Sequence, residues 1–136
     1  MDNSILAGKY FRNFIIGSAE VTELISADKI LALKVDSSIN DNDPVQYPFV
    51  VFSLTNLQPI YTKDYLTGNI CTFSLAVVSN EHDNMLDIAN AIRHSLEGKK
   101  FKDNNINIYP IRVQSISENT IDDAYVMMMI FTLEAS

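Results

Sequence analysis

The sequence predicts an α+β fold: a two-layer sandwich, with two helices packed on one face of a mainly antiparallel sheet of about five strands, in the order α-β-β-β-α-β-β. Three observations predict it. Apolar residues recur at helical spacing in two separate stretches, 4–16 and 81–97. Between and after them lie extended apolar runs joined by Asn-, Asp- and Gly-containing connections. A chain of 136 residues is long enough to bury one core, so residues 1–136 read as a single domain.

Residues 4–16 read as the first helix. Ser4 stands where an N-cap belongs, and Leu6/Ala7, Tyr10/Phe11 and Phe14 recur at helical spacing before Gly17 stops it. Val21, Leu24 and Ile25 add a short helical turn, and Lys29 to Val35 reads as a strand. Residues 36–46 form a polar loop rich in Asp and Asn. Tyr47 to Thr55 is the clearest strand, with Pro48 at its start, where a missing N–H is tolerated. Asn56 to Gly68 reads as a long hairpin connection, and Asn69 to Val78 as the return strand.

The second long helix spans 81–97. Asn80 can cap it, Glu81 and Asp83 suit the positive end of its dipole, and Met85, Ile88/Ala89, Ile92 and Leu96 form one stripe. Gly98 ends it, followed by Lys99, Lys100 and Lys102, which read as favourable charges at a helix C-terminus or, alternatively, as a local contact with an acidic partner or passing DNA. Asn105 to Ser117 and Asp123 to Glu134 close the sheet, with Asn119, Asp122 and Asp123 supplying the turn. Apolar parity in the first of these strands slips between Ile106/Ile108 and Ile111/Val113, which predicts a bulge or break near Tyr109-Pro110.

One feature departs from an ordinary half-wet sheet. The last strand is apolar on both faces, with Tyr125, Met127, Met129, Phe131 and Leu133 opposed to Ala124, Val126, Met128 and Ile130. Residues 48–54 behave alike. Helices cover one face, so either the chain's own connections or another copy must cover the other. The candidate contact residues are Leu57, Ile60, Tyr61, Tyr65 and Leu66 from the hairpin connection, and Val126, Met128 and Ile130 from the last strand. The hairpin residues packing down on their own sheet is the plain alternative.

Composition narrows the function. Ten Lys and Arg against 17 Asp and Glu give a net charge of −7, which disfavours a general nucleic-acid binder. The single cysteine, Cys71, permits no intramolecular disulfide and alternates with Phe73 and Leu75, as a buried thiol would. The start of the sequence carries no basic run of a signal peptide, and the longest apolar run, Ala124 to Phe131, has eight residues where a spanning helix needs about 20. A cytoplasmic protein without membrane partners is expected.

No catalytic pattern emerges. His82 and His94 stand roughly 18 Å apart along a helix, too far to share a metal. There is no Gly-x-Ser-x-Gly elbow and no phosphate-binding glycine loop. The acidic pairs fall in loops or a helix start, where capping and turn formation account for them. Catalytic, cofactor-binding and metal-ligating residues are therefore expected to be absent.

Three segments carry a resemblance. They are Tyr47-Pro48-Phe49-Val50-Val51-Phe52, the strand Cys71 to Val78, and the helix Met85-Leu86-Asp87-Ile88-Ala89-Asn90-Ala91-Ile92-Arg93-His94-Ser95-Leu96-Glu97-Gly98. With the order of elements over roughly 5–134, they resemble the tail-terminator and tail-completion proteins of long-tailed bacteriophages and related prophage elements. The resemblance implies a ring, usually hexameric, that caps the head-proximal end of the tail tube. Its partners would be itself, tail-tube and head-joining proteins, with DNA only as passing cargo. An acidic lumen would let that DNA slide. Two other readings stay open: a small dimeric ligand-binding or enzymatic α+β domain with its pocket between subunits, and a monomeric adaptor.

Overall fold

Ala7, Phe11 and Ile15 lie one helical turn apart and are fully buried, which makes α1 (Ala7–Ile16) an amphipathic helix seated on the sheet. The computed structural model describes residues 3–32, 47–62, 65–121 and 123–136, and for 62 and 65–67 the backbone alone. The buried stripe of α1 is rotated by one residue from the expected one: Ile15 enters the core, Phe14 is only partly buried and Leu6 is exposed. Ser4 does not cap the helix. It is buried in a single 3-10 turn, Ser4–Leu6, where its Oγ donates to the Ala135 carbonyl (3.1 Å) and accepts from Asn69 Nδ2 (2.8 Å). Gly17 closes α1 with an ordinary right-handed backbone; a Cβ there would stand 2.9 Å from the Asn13 carbonyl oxygen, so close approach is its reason.

The short α2 (Ala19–Thr22) buries Val21, with Ile25 just beyond it. The strands that follow are β1 (Ile30–Ala32), β2 (Phe49–Thr62) and β3 (Tyr65–Ser79). The expected loop at 36–46, and the end of the strand expected to reach Val35, lie outside the described residues. The expected connection at 56–68 is strand instead. β2 and β3 pair antiparallel from Phe49↔Val78 out to Thr62↔Tyr65, with irregularities at Leu54/Asn56 and Ile60/Tyr61. Asn56, Pro59 and Gly68 look like turn residues in sequence. Here the register breaks take up Asn56, and Gly68 fits because a Cβ would crowd the Glu134 carboxylate at 3.3 Å.

The helix α3 (His82–Leu96) buries Met85, Ile88, Ala89, Ala91, Ile92, Ser95 and Leu96. No side chain caps its first residue, so Asn80 is not the cap; buried Ser79 instead accepts hydrogen bonds from the Glu81 amide (3.2 Å) and Asn84 Nδ2 (3.1 Å). Gly98 adopts φ +79°, the left-handed stop that other residues resist. The chain then forms β4 (Phe101–Lys102), β5 (Asn107–Ile108), β6 (Arg112–Ile121) and β7 (Ala124–Ala135). The expected break at Tyr109-Pro110 is present and divides β5 from β6, and Asn119 lies inside β6 rather than in the turn.

The sheet therefore has seven strands among the described residues, where about five were expected, in the order β1-β2-β3-β7-β5-β4 with β6 also on β7. Among the described residues the two expected helices are present as α1 and α3, and the expected short helical turn is α2. All pairings are antiparallel except β1 with β2. The fold is roughly the α+β arrangement expected, and the extra strands β4 and β5 are two residues each. The core lies between the helices and one sheet face, with Phe11 stacked on Phe73 at 4.4 Å and 5.7 Å from both Phe52 and Phe131.

Two substitutions test this packing. Phe11→Ala should cost about 3–5 kcal/mol in urea unfolding, because it empties the centre of an aromatic cluster. Gly98→Ala should cost about 1 kcal/mol in the same assay, because alanine resists the left-handed backbone.

Candidate assembly surfaces

Alternation along paired strands divides side chains between two faces. Phe52, Phe73, Leu75, Val77, Met129 and Phe131 face the helices and are buried. Register then sets out the opposite face in rows. One row runs Phe49, Val78, Val126, Asn119, and the next Leu31, Val51, Ala76, Met128, Ser117. Two rows further along the strands come Ser53, Ser74, Ile130, Ser115 and then Asn56, Thr72, Thr132, Arg112. The outer face is thus apolar where β1 joins and polar toward the other end. Leu31 is 48% exposed, and Phe49, Val51, Ala76, Val78, Met128 and Ile130 are half-buried. Tyr47 stacks on Phe49 with ring centres 5.8 Å apart.

The predicted contact residues fall in two places. Met128 and Ile130 sit on this outer face; Val126 shares it but is only 2% exposed. Leu57 turns to the core side and packs against it. Ile60 is half-buried opposite Gly68, and Tyr61 is 65% exposed. Tyr65 and Leu66 lie on β3, in register with Thr62 and Tyr61. Sequence reasoning missed Leu31, Phe49, Val51 and Val78 as surface residues. The two-sided apolarity of 48–54 pointed to Phe49 and Val51, but only the parallel pairing of β1 brings Leu31 beside them.

The hairpin forms an arm. β3 pairs with β7 only as far as Asn69↔Ala135, while β2 and β3 stay paired to Thr62↔Tyr65. The arm therefore runs about 10 Å past that last rung, at roughly 3.3 Å per residue. Near its root an open groove of about 590 Å³ is lined by Lys100, Phe101, Lys102, Asn107, Ile108, Tyr109 and Pro110. The lysine run expected only to follow α3 thus includes strand β4, and Phe101 stacks on Tyr10 at 4.8 Å.

The titratable groups form surface pairs. His82 Nε2 lies 2.8 Å from Glu118 Oε1, and His94 Nδ1 3.0 Å from Glu20 Oε1; all four side chains are well exposed. Arg93 Nε donates to Glu97 Oε2 at 2.8 Å, and this bond holds the exposed Glu97 carboxyl below its ordinary value. Such pairs contribute little to stability. Cys71 is buried in the core. Among the described residues no group of three His, Cys, Asp or Glu comes together as a metal ligand set, and no helix is long and apolar enough to cross a membrane.

These features define a class: an α+β protein with one sheet face roofed by helices, an apolar patch on the other, and a projecting hairpin. The sequence matches no known family and no curated protein. The fold is similar to that of a chain in the solved structure described as "Virion of native gene transfer agent (GTA) particle". The TM-score is 0.75, with 11% identity, over 92% of this chain and 90% of that one. At that identity the likeness is one of fold.

The arm gives a prediction of its own. Tyr61→Ser should leave unfolding free energy within about 0.5 kcal/mol of the parent in urea titrations, since the ring is mostly in solvent. It should lower self-association in sedimentation runs if the arm is a contact.

Proposed function

We propose that this chain is a structural subunit of a phage-like particle. In the finer reading it is a tail-terminator or tail-completion protein that closes into a ring, hexameric as in the proteins it resembles. The ring sits at the head-proximal end of the tail tube and stops its growth. The observation that carries the reading is the fold likeness to a gene transfer agent virion chain, which spans nearly all of both chains. The half-exposed apolar rows and the arm support it, because a ring subunit needs two different surfaces that fit each other.

The mechanism is burial of apolar surface between copies, without catalysis or a cofactor. Partners are further copies, the tail tube and the head-joining proteins. DNA is passing cargo that a chain of net charge −7 does not hold. The protein would be made in the cytoplasm of a bacterial host and end in the virion tail.

Solution mass by light scattering, over a range of concentrations and with tube ends added, tests this. The expected result is a closed oligomer near six times the 15.3 kDa subunit, ring-shaped by electron microscopy. A chain that stays monomeric and ignores tube ends would overturn it.

A further inference from the structure

The two ends of the sheet differ in charge, and each carries exposed apolar residues. At one end lie the first turn of α3 and the turn between β6 and β7. Glu81, Asp83, Glu118 and Asp123 are exposed there, with His82 beside Glu118 at 2.8 Å, and no Lys or Arg occurs in 79–91 or 113–136. Ile121, 58% exposed, is the apolar tip among these acids, while Tyr125, 39% exposed, turns to the helix side at the same end and packs on His82 with ring centres 5.2 Å apart. At the other end is the groove of about 590 Å³, lined by half-buried Phe101 and buried Ile108, with exposed Tyr109, Pro110, Lys100 and Lys102 about them. Lys99 and Arg112 are exposed nearby. The acids at that end are Asp103, whose Oδ1 accepts from the amides of Asn105 (2.7 Å) and Ile106 (2.9 Å), and Glu134; both are exposed and partly offset the cations.

We infer that these ends meet: the acidic tip around Ile121 of one copy seats in the lysine-rimmed groove of the next. The occupant is a second copy because the chain carries both complementary halves at opposite ends of β7, so neither can satisfy the other within one molecule. β7 spans Ala124–Ala135, and at roughly 3.3 Å per residue its ends are well over 30 Å apart. A contact between unlike ends is heterologous, and it propagates until the rotation closes a ring or leaves a filament. The arm supports the same direction of assembly, since it projects past the groove end, toward the neighbour that would dock there. Charge complementarity sets register and partner choice, while Ile121 supplies the apolar anchor.

This contact rests on the self-assembling reading and names its surface. Three variants test it by sedimentation and light scattering: K100E/K102E, E118K/D123K, and all four changes in one chain. Each reversal alone should weaken self-association roughly tenfold or more, and rising salt should weaken the parent likewise. The combined chain should recover parental association, which a folding defect would not allow. If the parent forms its oligomer and either reversal leaves the mass unchanged, or the combined chain fails to recover, the end-to-end contact is overturned and the ring reading stands. If the parent is monomeric at every concentration, alone and with tube ends, both fall.

Discussion

Phe11 is the contact on which the rest of the molecule depends. Its ring meets Phe52, Phe73 and Phe131, one residue from each of β2, β3 and β7. Those strands are neighbours in the sheet, so a single side chain of α1 fixes the helix layer over its centre. Face-on and edge-on rings together add to simple burial, because each arrangement aligns opposite parts of the ring quadrupoles. Once α1 is fixed, α3 can lie beside it only where its own stripe meets β3 and β7. The Ser4 and Asn69 bonds then hold the entry to α1 against the end of β7.

That arrangement settles one sheet face, and no helix of the described residues roofs the other. The outer face shares every backbone hydrogen bond with the roofed one, so the same ladders hold it in place, with no helix upon it among the described residues. Its apolar rows at the β1 end and polar rows at the other give it a direction. A surface with direction suits a contact between unlike parts of two copies better than a symmetric pairing of like with like.

Much of this was legible in the residues, and the misses have physical causes. The helix α3 was readable because periodicity, a dipole-matched first turn and Gly98 all agree. The break between β5 and β6 was readable because a parity slip coincides with Pro110, which cannot donate to a ladder. The arm was misread because Asn56, Pro59 and Gly68 punctuate it like a loop, and only a partner strand shows that their backbones stay extended. Ser4 and Asn80 look like caps, but a cap depends on where neighbouring strands place their own acceptors. The groove was half visible: the lysine run stands out, whereas Tyr109 and Pro110 reach its rim only through the pairing of β4 with β5.

The position of β7 has a consequence for synthesis. It follows every other element in sequence, yet it lies inside the sheet between β3 and the pair β5 and β6. The hairpin of β2 and β3 can form as soon as it is made, because its contacts are local. Phe73, however, waits for Phe131 across a long stretch of chain. Until that strand arrives, one edge of β3 stays open and the aromatic cluster lacks a wall. A nascent chain thus leaves that edge of β3 open from Ser79 until Ala124 and beyond are made, and such long-range pairing makes closure slow.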